Sequence, residues 1–329
     1  MSTYRISPNL RMLILTIAAA LALGLGCDPV TAEPAAEGVR VGHDKAAVTV
    51  SIDGRPVAEY RFAEVPFKPY VKQLCSPSGV QVLRDAPHDH LHHHALMFAV
   101  GVDGVDFWAE TPVNGKQVHR SFGPVKPSSQ DGRSTAEWTE ELDWLKPDKT
   151  PLLVEKRTLT VESNHDPAAT LLTWRSELSP AAGKESVTLG GSHYFGLGVR
   201  FVESMDKGGR FFNSGKKEGE IVRGDERLTP AKWCAFTAAA GPQGDKKVTV
   251  AVFDHPQNPR HPARMFTMSQ PFAYLSATLN LWKEPLKVTA GKPLDLKYAV
   301  AVWDGEIDDA RIGRVYEKWI AAPAAKPAK

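Results

Sequence analysis

Residues His88-Asp89-His90-Leu91-His92-His93-His94 hold five of the chain's eleven histidines within seven positions. Imidazole changes charge near neutral pH and ligates transition metals, so acid–base chemistry or a metal is expected here first. If His90 to His94 are extended, alternation puts His90, His92 and His94 on one face and His93 on the other. Side chains at i and i+2 of a strand stand about 6–7 Å apart at Cα. His90 and His92 could therefore share one divalent ion. Zinc, copper or iron would need a third or fourth ligand, for which Asp89, His193 and His255 are the candidates. The same run serves a metal-free site as well, with His92 or His93 as acid or base and no cofactor required. A solvated loop with one or two imidazoles hydrogen-bonded under a strand accounts for it without chemistry.

Three further groups qualify. The segment Asp254-His255-Pro256-Gln257-Asn258-Pro259-Arg260-His261-Pro262 is stiffened by three prolines, so its polar side chains are held at low entropic cost. Asp254, His255, Asn258 and Arg260 offer the mixed donors and acceptors that a polyhydroxylated ligand needs, although Asp and Asn also cap turns through their own backbone. Glu155 and Arg157 lie at i and i+2 of one apolar run, and Arg200 ends another. Buried charges of this kind must be paired, either as a structural Glu–Arg pair or with Glu155 as an acid–base group and Arg200 holding a substrate oxygen. Of eight tryptophans, most are expected in a core; Trp108, beside the histidine run and before a loop, is the one assigned to the site.

The elements that must position these groups are strands. Alternating or β-rich runs occur at 47–52, 57–63, 70–74, 95–102, 135–142 and 152–161, and again at 170–178, 186–189, 194–201, 248–253, 272–278 and 294–302. Asp53-Gly54, Asp103-Gly104, Asn114-Gly115 and Asp304-Gly305 mark turns between them. Strands every 10–20 residues with few helical windows predict an all-β fold, a large antiparallel β-sandwich spanning residues 41–320. One helix is expected, over 307–320, where Ile312, Val315, Tyr316 and Trp319 recur at helical spacing behind Asp308 and Asp309.

The amino end reads as an export signal over residues 1–26: Arg5 and Arg11 precede the apolar run Met12–Leu25. Gly24-Leu25-Gly26-Cys27 has the form of a lipobox that would lipidate Cys27, while Val30-Thr31-Ala32 suits cleavage after Ala32. Residues 27–40 are expected to be a flexible tether and 321–329 a disordered tail. The protein is thus expected outside the cytoplasm, periplasmic or held to a membrane only by a lipid at Cys27. The chain carries 40 Lys+Arg and 38 Asp+Glu, and the leader holds Arg5 and Arg11 with no acidic residue, so the remainder balances. No basic face for nucleic acid follows. Cys75 and Cys234 could pair after export or remain separate buried thiols. Serine-elbow, phosphate-loop, dinucleotide and Cys-x-x-Cys motifs are absent from the sequence.

The sequence resembles an exported bacterial family labelled PmoA-like, after a methane monooxygenase subunit. The likeness lies in Pro77-x-Gly79, Asp89-His90-x-His92-His93, Gly104-Val105-Asp106-Phe107-Trp108, Gly115-Lys116-Gln117-Val118-His119 and Glu155-x-Arg157. It continues in Gly196-Leu197-Gly198-Val199-Arg200, Asn213-Ser214-Gly215, Trp233 and Asp254-His255-Pro256-x-Asn258-Pro259-Arg260. The family's histidine motif usually reads Asp-His-Pro-His-His-Arg-Gly, so Leu91 stands for its proline, His94 for its arginine and Ala95 for its glycine. A membrane monooxygenase subunit needs several long apolar helices, which a strand-rich chain lacks, so the label does not carry an activity with it. The resemblance implies instead a large β-sandwich of the galactose-mutarotase type, whose concave face binds sugars with His, Arg and Glu. The expected ligand is a small molecule or oligosaccharide, handled by epimerase, lyase or hydrolase-type chemistry. A metal-dependent protein and a non-catalytic glycan-binding lipoprotein are the alternatives.

Overall fold

The computed structural model describes residues 38–130, 132–165 and 168–322. The export segment, Cys27, most of the tether and the tail from residue 323 lie outside the described residues. What is described is antiparallel β-structure with a single α-helix, Asp309–Ala321, as the sequence predicts.

Two large sheets form the sandwich. One has ten strands and contains, side by side, Tyr70–Leu74, Leu96–Ala99, Gly196–Arg200, Tyr274–Thr278 and Arg264–Met268. The other centres on Pro151–His165, Ala168–Pro180, Leu294–Asp304 and Lys246–Asp254. Leu294–Asp304, late in the sequence, sits between Ala168–Pro180 and Lys246–Asp254 and pairs with both. A small four-stranded sheet is built from Leu286–Thr289, Ser186–Gly190, Gly101–Val102 and Val105–Asp106.

Alternation along these strands sends Leu96, Phe98, Leu197, Val199, Leu275 and Ala277 into one continuous core with Trp138, Trp144, Leu159, Leu172 and Trp174. Burying each large apolar side chain contributes about 1.5–3 kcal/mol. A second core lies under the helix, where Ile312, Val315, Tyr316 and Trp319 meet Leu171, Phe253, Ala301 and Trp303. Asp308 caps that helix by accepting the Arg311 amide at 2.8 Å, as its place before the first turn predicts.

The run 95–102, expected as one strand, breaks at Val100. Leu96–Ala99 joins the ten-stranded sheet, and Gly101–Val102 crosses to the small one. A Cβ at Gly101 would stand 3.1 Å from the Gly190 carbonyl oxygen, so this close crossing favours glycine. Cys75 and Cys234 are both buried and free. Among the described residues no helix is long and apolar enough to cross a membrane.

Candidate functional site

The histidine run is not extended. The His90 amide donates to the Pro87 carbonyl and the His93 amide to the His90 carbonyl, each at 2.9 Å, giving two successive tight turns. The loop is closed at its base where Asp85 bridges His94. Ala86 and Ala95, at φ +41° and +44°, flank it in the left-handed region, and both amides donate to the His93 carbonyl. The expected separation of His92 from His93 is therefore overturned. Turn geometry gathers the rings of His90, His92 and His93 at centroid distances of 4.6–5.8 Å.

His94 leaves this group, contrary to its expected place beside His90 and His92. Its Nδ1 lies 2.8 Å from Asp85 Oδ1 and its Nε2 3.1 Å from Glu110 Oε1. Glu110 also receives Lys68 Nζ at 2.5 Å, and Tyr70 donates to Asp85 at 2.8 Å. Burial opposes the charged imidazole, but the two carboxylates outweigh it and raise the His94 pKa. Position 94 thus lies between two carboxylates that favour a cation there, a place an arginine would also fill.

The loop covers one face of the ten-stranded sheet. Along Gly196–Arg200, residues 196, 198 and 200 share that face, opposite Thr278, Ser276 and Tyr274 of the neighbouring strand. Glycine at 198 is required by what crosses it. A Cβ there would overlap the Tyr274 hydroxyl and stand 2.9 Å from Trp108 Cη2. His93 packs over this floor, its ring 5.4 Å from Tyr274, 5.7 Å from Phe272 and 6.4 Å from Trp108. The Arg200 guanidinium lies 3.5 Å over the Phe272 ring, with Asp206 at 3.8 Å.

Five side chains here keep polar atoms that make no hydrogen bond within the protein: His93 Nδ1, Trp108 Nε1, Arg200 Nε and Nη1, Tyr274 Oη and Ser276 Oγ. All five residues are at most 8% exposed. Leaving such a buried group unmatched costs about 1–3 kcal/mol. His90 and His92 are half-buried at the edge of the cluster. Burial, then the neighbouring His92, His90 and Arg200, push the His93 pKa down to about 2. Burial and the charges of Lys68 and His90 also lower that of His92. His93 is thus a neutral imidazole at ordinary pH, able to donate and accept hydrogen bonds but a poor proton acceptor. Among the described residues, no group of three or more His, Cys, Asp or Glu side chains is placed to hold a metal ion.

His90, His92, His93, Trp108 and Arg200 thus come together, while the other expected site residues do not. Glu155 is fully buried between the large sheets. Its Oε1 accepts Arg157 Nε at 2.9 Å and Ser176 Oγ at 2.5 Å; its Oε2 accepts Arg157 Nη2 at 2.8 Å and Trp144 Nε1 at 2.9 Å. Arg157 in turn donates to Gln117, Tyr60 and the Pro69 carbonyl. Glu155 is a counterion inside the core, with both carboxylate oxygens engaged by protein donors.

The 254–262 loop is also spent internally. Asp254 accepts Asn258 Nδ2 and the Ala263 amide at 2.7 Å and pairs with His261 Nδ1 at 2.6 Å. Asn258 clips both backbone groups of Lys297. His255 packs its ring 5.2 Å from Trp319, and burial with Lys297 lowers its pKa to about 4. Arg260 donates to the carbonyls of Leu279, Glu284 and Pro285. These side chains shape the chain rather than present hydroxyl-binding groups.

Tyr274, Ser276 and Phe272 were missed in the sequence because they lie in a run that reads as an ordinary buried strand. The pairing of Arg200 with Tyr274 is set by strand order, which the sequence does not carry.

A β-sandwich with a histidine loop over one sheet face defines a class of domain and leaves the reaction open. The chain matches the family of unknown function DUF6807 over residues 47–317 and belongs to that family. Comparison with curated proteins finds no match. Among solved structures, the α-galactosidase from Lactobacillus brevis aligns with a TM-score of 0.40 at 5% identity, over 81% of this chain and 39% of that one. The galactosidase domain of the α-galactosidase-sucrose kinase AgaSK gives 0.37 at 8% identity, over 82% and 41%. This chain spans about two fifths of the length of each.

Proposed function

We propose that the protein binds a small polyhydroxylated ligand, a sugar, where the histidine loop meets the ten-stranded sheet beside Arg200. The reading rests on the five buried side chains whose donors and acceptors remain unmatched within the protein. Together they supply donors from Arg200 and Trp108 and dual donor–acceptor groups from Tyr274, Ser276 and neutral His93, the mixture that hydroxyl groups demand. His92, half-buried at the edge of the cluster, takes the acid–base role in epimerase-, lyase- or hydrolase-type turnover, and His93 orients the substrate as a neutral hydrogen-bonding group.

A panel of neutral and acidic sugars, assayed for binding and turnover, tests this reading. Wild type should bind at least one sugar, His93→Ala should lose at least tenfold in affinity, and His92→Ala should lose turnover while keeping binding. Binding indifferent to His93→Ala and Arg200→Met would sink the site. The neutrality of His93 favours a second reading, a glycan-binding protein without catalysis. Binding lost in His93→Ala, with no turnover by wild type, selects it. Stoichiometric copper, iron or zinc in untagged protein, lost in a His90→Ala/His92→Ala variant, would replace both readings with a metal site.

Export and lipidation at Cys27 belong to the same proposal, from the apolar run that precedes that cysteine. Labelled palmitate should be incorporated by the wild type and not by Cys27→Ser, and label retained in the variant would refute the anchor.

A further inference from the structure

We infer a second, separate ligand site, for a neutral sugar ring, in the cavity between the small sheet and Trp282. This cavity of about 950 Å³ is lined by the turn 103–106, Thr188, the stretch 190–195 and Trp282 with Pro285. Its size lies within the 300–1,000 Å³ typical of small-ligand pockets.

Exposure, flanking rings, charge and open backbone together select the ligand. Trp282 is 41% exposed at the cavity edge, whereas Trp108, Trp138, Trp144, Trp174, Trp233 and Trp303 are buried. An indole left half in water beside a cavity offers the flat apolar surface on which the CH face of a sugar packs. His193 stands edge-on to it at 6.0 Å and Tyr194 edge-on to His193 at 5.1 Å, so donors and acceptors flank the platform. His193 Nε2 lies 3.4 Å from Glu226 Oε2 but off hydrogen-bonding geometry, and neither atom has a hydrogen bond within the protein.

Charge narrows the class. The lining carries the carboxylates of Asp103 and Asp106 and no Lys or Arg; Lys184 approaches Asp103 at 3.9 Å from outside the lining, but the lining itself is acidic, so phosphate, sulfate and uronate groups are disfavoured and hydroxyl donors favoured. Lys283 lies 4.7 Å from the Trp282 ring centroid but is tethered to Glu220 at 3.4 Å.

Backbone is accessible as well. Added Cβ atoms at Gly104 and Gly190 would meet nothing within 4 Å, so these positions open onto free space. The site is distinct from the histidine face, separated from it by Trp108, which stacks on Phe195 at 5.1 Å and meets Tyr194 edge-on at 5.3 Å. It stands whether or not the histidine face binds sugar.

A glycan array followed by calorimetry with the best neutral and acidic disaccharides tests the inference. Neutral glycans should bind and glucuronate-containing ones should not. Trp282→Ala, at an exposed position, and Gly190→Leu, which projects a side chain into open cavity without backbone strain, should each weaken binding at least tenfold. Both should retain the wild-type melting temperature, and His93→Ala should leave this binding in place. No neutral glycan bound, a preference for acidic glycans, or binding untouched in both variants would overturn it. Neutral-glycan binding lost only in His93→Ala would assign the ligand to the histidine face and overturn the second site.

Discussion

His93 and Glu155 behave unlike their sequence context suggests, and each difference can be measured. Unfolded histidine takes up a proton below about pH 6.5, whereas burial keeps native His93 neutral down to about 2. Between those values the unfolded chain binds the extra proton, so stability falls as pH falls, by up to about 1.4 kcal/mol per pH unit from this residue. His255 adds to the same trend until about pH 4. His94 acts oppositely, because its raised pKa gives stability that is present below about 6.5 and lost as pH rises through the folded value. Urea unfolding of His93→Gln across mildly acid pH should show a shallower slope than wild type; an unchanged slope would mean that His93 is not held neutral. Glu155→Ala leaves Arg157 charged, buried and unpaired, which should cost about 3–5 kcal/mol. A catalytic Glu155 would instead give a stable, inactive variant, so the melting temperature separates the two roles. The departure at Ala95 has a cost of its own: at φ +44° an alanine is strained where the resembling motif has glycine.

At the scale of elements, the strands were legible and their partners were not. Ala47–Ile52 and Tyr70–Leu74 match their predicted bounds, and the helix falls within two residues of its predicted start, because alternation and helical spacing are local properties. Lys116–Phe122 and Trp233–Ala240 were missed. The first is broken by charge and polarity; the second is an almost unbroken apolar run, interrupted only by Thr237, with no alternation. At the site, the histidine run, Trp108 and Arg200 were visible by residue type. Tyr274 and Ser276 were not, since their importance comes from lying across Gly198 and Arg200 in the sheet. The Asp254–Arg260 segment misled because stiff polar loops look alike whether they hold a ligand or hold themselves. Its Arg260 binds three carbonyls of the 279–285 segment. Arg260→Ala should therefore speed amide exchange over 280–285 by an order of magnitude or more, roughly the loss of one to two charged hydrogen bonds. Exchange unchanged there would show that the segment is held by other means.

For the whole molecule, one topological fact reaches beyond the native state. Leu294–Asp304 fills the slot between Ala168–Pro180 and Lys246–Asp254, so the second sheet cannot be completed until the chain has emerged as far as Asp304. Until then, two apolar strand edges that belong together have no partner, the condition under which β-proteins pair with one another instead. A nascent chain of this kind is expected to hold those two edges open until its late strand arrives, and to be prone to pairing with other copies until then.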